Sequence, residues 1–254
     1  MPTQTPHPVL RQPAKDARNT YGDVLRYITG GLWIDNEHWL HTADGSDGTA
    51  QVIVKPIPEA TTQPIIHPIS FIAHSQSGPR KTPWLALWKY FARRDITGES
   101  HVILEGVDAQ PSEGRRGAAI VQTMPFNRRG DCNAKANSWF KNSKRVGAIS
   151  VETQDRGGGS LNTTPWSLAQ FEALVGLCTC LCVVYGMSCI EPTRWDDGGI
   201  GHHSRFKEWS IYVGKTCPGP ARIRQMPELR RRVAENLAAF MEATNWTCGQ
   251  GGVR

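Results

Sequence analysis

The chain has 254 residues, with 29 Lys and Arg against 23 Asp and Glu for a net charge of +6, and 39% of its residues are hydrophobic. That length corresponds to one or two domains of about 150 residues, and the composition excludes wholesale disorder and fibrous repeats. The longest apolar stretch, from Ala173 to Met187, is broken by Gly176 and Thr179 and falls short of the roughly 18 to 20 residues of a membrane span, so no membrane insertion is expected.

The first 20 residues hold four prolines and no apolar run suited to a secretory signal, so synthesis is expected to end in a cytosol. The seven cysteines are then expected to be reduced. Residues 1–60 read as an N-terminal extension, with a short strand-like piece at 51–55 closed by Pro56 and Pro58. Residues 61–248 read as the main domain and 249–254 as a short tail. Residues 68–74 have the β-branched and aromatic content of a buried strand, with a turn at 75–79. Thr82 and Pro83 form a helix-start signal ahead of Trp84, Leu87, Trp88 and Phe91, a helix expected to end near Arg94. Further strands are predicted at 101–104, 118–122 and 146–152, the last followed by a loop at 155–159. Thr164 and Pro165 repeat the start signal, after which Leu168, Phe171, Leu174, Val175, Cys178, Leu181, Cys182 and Tyr185 trace one helix face until Gly186. Beyond a loop rich in Gly, Asp and His, Pro227 is expected to open a last helix. Leu229, Val233, Leu237, Phe240 and Met241 form its apolar stripe, and Arg230, Arg231 and Arg232 lie on its other face. Strands alternating with helices, without an internal repeat, indicate an α/β fold with a single mixed central β-sheet flanked by helices.

Cys178, Cys180 and Cys182 resemble a metal cluster in print. A helix turns about 100 degrees per residue, however, so the middle one points away from its neighbours and a packing role is expected for all three. Cys132, Cys189 and Cys248 are read the same way. More informative is the stretch His202-His203-Ser204-Arg205-Phe206 followed by Lys215-Thr216-Cys217-Pro218-Gly219. It offers imidazole and thiol donors on a segment punctuated by Gly and Pro. Zinc favours these donors, and a catalytic zinc has three protein ligands and one open position. His203 or His202, Cys217 and one distant ligand would complete such a set. His74, at the end of a buried strand where α/β proteins place their sites, is a candidate, but spacing alone does not join it to the others. The net positive charge and Arg222, Arg224 and Arg230 to Arg232 would suit a polyanion. No nucleic-acid reader motif accompanies them, and no nucleic-acid partner is expected.

Taken in order, several segments resemble the successive motifs of the zinc-dependent N-acetylmuramoyl-L-alanine amidases, whose fold is shared with peptidoglycan recognition proteins and many bacteriophage endolysins. They are Phe71-Ile-Ala-His74-Ser-Gln-Ser-Gly; Ser100-His101-Val-Ile with Gly106 and Gln110; Ala148-Ile-Ser-Val-Glu152; Trp166 with Gln170; and His203-Ser-Arg-Phe through Lys215-Thr-Cys-Pro-Gly. The resemblance spans roughly residues 63–225 and is most specific in its last block. It implies a peptidoglycan recognition protein-like amidase fold and Zn2+ held by His74, His203 and Cys217, with Glu152 and Lys215 as catalytic groups. One branch of the family has Tyr where this chain has Ser100, which shifts acid and base work to Glu152. The implied substrate is bacterial peptidoglycan, cut between N-acetylmuramic acid and L-alanine. The implied setting is a phage endolysin, made in the host cytoplasm and acting on the cell wall after release. The alternative is a non-catalytic peptidoglycan-binding module of the same fold, a role that relatives take when the thiolate ligand is missing.

Overall fold

Two long strands with apolar centres, residues 67–76 and 144–154, form the frame on which the rest of the chain is hung. The structure, a computed structural model, describes residues 21–42, 50–76, 84–93, 98–106, 118–154, 164–210 and 216–245. In chain order the elements are α1 (Tyr21–Ile28), β1 (Leu32–Ile34), β2 (Leu40–Thr42), β3 (Ala50–Val54), β4 (His67–Gln76), α2 (Trp84–Phe91), β5 (Val102–Leu104), β6 (Ala118–Gln122), β7 (Trp139–Lys141), β8 (Lys144–Gln154), α3 (Leu168–Tyr185), β9 (Gly199–His202) and α4 (Pro220–Thr244). Short 3-10 turns occupy Ala134–Asn137, His203–Arg205 and Lys207–Trp209.

The main sheet runs β3-β6-β5-β8-β4-β9, with β7 hairpinned onto β8. β4 is parallel to both β8 and β9, and β5 is parallel to β8, whereas β5 and β6 are antiparallel. This is the mixed sheet flanked by helices that the alternating elements predict. Phe71, Ile72 and Ala73 are all fully buried, without the in-out alternation of a one-sided sheet, because both faces of β4 are covered. Phe71, Ile149 and Val151 pack with Leu174 and Leu181 of α3 and Leu229 and Val233 of α4. On another part of the sheet Ile103 and Val121 meet Leu87 and Phe91 of α2.

The described residues of the N-terminal extension pack onto the main fold: Leu25, Leu32 and Leu40 enter the main core, and β3 pairs with β6 as an edge of the sheet. The side chain of Gln122 ties this segment down, accepting from Leu40 N–H at 2.5 Å and donating to His38 O at 3.0 Å. α3 starts not at Thr164 but after Ser167, whose side chain caps Gln170 N–H while the Gln170 side chain returns to the Ser167 backbone. Such a reciprocal box satisfies two orphan donors at once. Leu168, placed on the buried face by periodicity, is 76% exposed, and the remainder of α3 is buried on nearly all sides, including Cys178, Cys180 and Cys182. By length and composition α3 could cross a membrane, yet 78% of it is buried inside this fold, which accounts for its apolar character. The helix ends at Gly186 in the left-handed conformation, φ 66°, as predicted. α4 begins at Pro220, and Pro227 lies inside it, where a proline forgoes one helical hydrogen bond. The segment before it, read as a loop rich in Gly, Asp and His, contains β9.

The arginines of α4 are largely neutralised. Arg230 pairs with Glu191 at 3.2 Å and Arg232 with Glu172 at 2.9 Å, and Arg231 pairs with Glu228 and Glu235.

His101, immediately before β5, is completely buried. Its Nε2 donates to Arg128 O at 2.7 Å and its Nδ1 accepts from Ser150 N–H at 3.2 Å, an arrangement that fits only the neutral ring. Burial lowers its pKa from 6.5 to about 4, partly opposed by the bond to Arg128. Because the folded value lies below the unfolded one, the unfolded chain takes the proton first. The penalty is absent above pH 6.5 and grows as pH falls to 4, reaching about 3 kcal/mol. His101→Gln is expected to lose this component, so urea melts of wild type and variant at pH 7 and pH 4.5 should differ in pH dependence. Equal slopes would contradict this role.

Candidate functional site

β8, β4 and β9 are parallel neighbours, so their C-terminal ends share one edge of the sheet, where α/β proteins characteristically bind ligands. The register sets His74 of β4 opposite Glu152 of β8 and Ala73 opposite His202 of β9. His203 is therefore the first residue past β9, one step from the same level. Ser204 draws in the distant chain: its N–H and its hydroxyl both donate to Cys217 O, at 3.0 and 2.8 Å. Ser75, next to His74, donates its N–H to Cys217 Sγ at 3.3 Å.

The outcome is a cluster of His74, His203 and Cys217 in which one ligand atom from each lies within 4.8 Å of the others. The two imidazoles are 4.2 Å apart between centroids. Among the described residues no other group of three His, Cys, Asp or Glu side chains is so placed. His202 does not join it. Successive strand residues face opposite ways, and its Nδ1 bonds Ser204 Oγ at 3.2 Å, while burial lowers its pKa to about 4. Two imidazoles and one thiol form a donor set suited to zinc, with a position left for solvent. The surroundings fit as well: His74 Nε2 lies 2.7 Å from Asn133 Oδ1, leaving Nδ1 for a metal in the manner of outer-shell partners elsewhere.

Burial lowers the pKa of His74 well below 6.5, and neighbouring His203 lowers it further, so the ring is neutral and able to ligate. Burial, followed by the charge of Glu152, pushes the Cys217 thiol up to about 12 against the opposing pull of Ser75 N–H and Arg222. Metal binding must therefore expel a proton from this sulfur. Glu152 Oε1 lies 3.8 Å from His74 Nδ1, with its side chain 16% exposed. Its Oε2 is buried without a hydrogen-bond partner. Burial raises Glu152 to about 7, with Arg222 pulling the other way.

Three residues that carry no site signal in the sequence lie near the cluster. Cys132, assigned to packing, has its Sγ 3.8 Å from His74 Nε2 and 3.2 Å from the buried Ser100 Oγ. Asn133 belongs to no periodic element and gives no signal in the sequence. Arg222, read as part of a basic face, is completely buried. It donates to Thr153 Oγ1 at 2.9 Å and O at 3.2 Å and to Gln154 O at 3.2 Å. Thr153 in turn donates to His74 O at 2.5 Å and accepts from Trp166 Nε1 at 3.0 Å. Arg222→Met would leave these buried acceptors without their charged donor, and a stability loss of about 3 kcal/mol or more is expected in urea melts. A loss under about 0.5 kcal/mol, the range of an ordinary surface substitution, would contradict the assignment.

Lys215 lies outside the described residues, as do the Thr82-Pro83 start signal, Arg94, Gln110, Cys248, the loop at 155–159 and most of the turn at 75–79.

No protein-family profile matches the chain, and no curated protein matches it. Among solved structures it is similar to a mutant endolysin from Bacillus subtilis, with 18% identity, a TM-score of 0.44, and coverage of 73% of this chain and 97% of that one. It is likewise similar to AmpD, with 19% identity, a TM-score of 0.45, and coverage of 76% and 98%. The endolysin N-acetylmuramoyl-L-alanine amidase LysCS from Clostridium intestinale URNW has 15% identity and a TM-score of 0.46, over 72% of this chain and 95% of that one.

Proposed function

We propose that the chain is a zinc-dependent N-acetylmuramoyl-L-alanine amidase. It would hydrolyse the amide between N-acetylmuramic acid and L-alanine in bacterial peptidoglycan, as a phage endolysin made in the host cytoplasm and released to the wall. The observation that carries this reading is the convergence of His74, His203 and Cys217 within 4.8 Å. The same three residues are named as zinc ligands by the motif resemblance, although they are far apart in the chain.

An amide resists water because its carbonyl is a weak electrophile and its amine a poor leaving group. Zinc supplies a Lewis acid that polarises a carbonyl and lowers the pKa of water from 15.7 to about 7. The chain supplies the proton handling. Glu152 faces His74 across 3.8 Å and has a buried oxygen, Oε2, without a partner. In this reading it takes a proton from the attacking water and returns it to the departing amine. A carboxyl group near pKa 7 suits both halves of that exchange. The Ser100 hydroxyl is occupied with Cys132 Sγ, which supports Glu152 rather than residue 100 as the acid-base group. Lys215 is assigned by resemblance to stabilise charge on the tetrahedral oxyanion.

The test is digestion of purified cell wall by the zinc-loaded protein, read by mass spectrometry. Peptides beginning with free L-alanine, released from intact glycan strands, are expected. Wall binding without release would identify the non-catalytic binding module instead, and cleavage at another bond would overturn the assigned specificity.

A further inference from the structure

We propose that Asn133 is a positioning residue for His74: its side-chain oxygen holds the imidazole with the proton on Nε2 and thereby sets how tightly the chain binds zinc. This rests on the functional reading above and adds to it a residue outside the ligand set.

Asn133 is 0% exposed, and its Oδ1 lies 2.7 Å from His74 Nε2. A neutral imidazole has one N–H and one lone pair. An oxygen at Nε2 therefore fixes the hydrogen there and leaves the lone pair on Nδ1, the nitrogen that faces Glu152 at 3.8 Å. The backbone around Asn133 is arranged for this contact. Asn133 occupies the cap position of the Ala134–Asn137 turn yet makes no side-chain cap hydrogen bond, although Asn is among the residues that most favour such a bond. The turn is secured by other groups instead. Asn137 Oδ1 accepts from Asn133 N–H at 2.6 Å, and Ala136 N–H donates to Asn133 O at 2.8 Å. Ala134 adopts φ 46°, a left-handed conformation that costs a non-glycine residue on the order of 1 kcal/mol or more. Asn133 Nδ2 is buried with no partner, a further cost of about 1 to 3 kcal/mol. A side chain that gives up its cap bond and leaves its own donor unpaired is held there for its oxygen.

The test uses the full chain, stripped of metal, with zinc affinity measured at pH 7 by competition against a chromophoric chelator and with cobalt(II) as a spectroscopic probe. Asn133→Ala is expected to weaken zinc binding about 10- to 100-fold and to alter the visible cobalt spectrum. Asn133→Asp keeps an acceptor and removes the donor, so it should bind zinc at least as tightly as the wild type and keep the cobalt bands. If Asn133→Ala fails to fold, Asn133→Asp decides alone: wild-type affinity supports the role and a tenfold loss overturns it. Wild-type affinity in a folded Asn133→Ala overturns it as well. Those results leave the amidase reading standing, whereas a wild-type chain that does not bind zinc overturns both.

Discussion

Cys217→Ala is expected to lose zinc and wall hydrolysis together while keeping its fold. The thiolate would be the only anionic ligand, and two neutral imidazoles cannot replace the charge it brings to a divalent cation. The structural cost should be small. The Sγ receives a hydrogen bond from Ser75 N–H at 3.3 Å, and losing it costs on the order of 1 kcal/mol. The loop itself is held by Cys217 O, which accepts from both Ser204 groups and is untouched by the substitution. Metal analysis, circular dichroism and wall digestion of the purified variant make the check. A zinc-free variant with wild-type activity would remove Cys217 from the centre.

Glu152→Gln is the second large expected effect, and it separates metal binding from proton transfer. Gln preserves the shape of the side chain but cannot accept and return a proton, so zinc should be retained while kcat falls about 10²- to 10⁴-fold. The ligand cluster does not include Glu152, so zinc stoichiometry should match that of the wild type. Undiminished turnover would exclude Glu152 from the acid-base role.

The parts of this molecule that could be read from sequence are those whose signal is local and long. β4 and β8 have apolar centres buried on both faces, and α3 ends at a glycine whose left-handed φ explains its presence. β1 and β2 have three residues each, too few for a period to register. β9 contains two glycines and no run of β-formers; it is a strand because β4 offers it an open edge. At the start of α3, Thr164-Pro165 and Ser167 are competing signals, and only the bond back from Gln170 decides between them. In α4 two prolines compete, and Pro220 after Gly219 opens the helix.

The candidate site is legible only through motif resemblance, because nothing in the spacing of His74, His203 and Cys217 announces that three segments meet. Parallel pairing of β4 with β8 and β9 brings His74, Glu152 and His203 to one edge, and Ser204 then draws in Cys217. Cys132, Asn133 and Arg222 owe their places beside the cluster wholly to tertiary neighbours. Arg222 shows the limit most clearly, since a buried arginine and a solvated one are written with the same letter.

X-ray absorption at the zinc edge reads the proposed ligand set itself. One sulfur at about 2.3 Å and two imidazole nitrogens at about 2.0 to 2.1 Å are expected, with the sulfur lost in Cys217→Ala and one nitrogen lost in His203→Ala. Zinc bound without a sulfur neighbour, or bound unchanged in those variants, would contradict it.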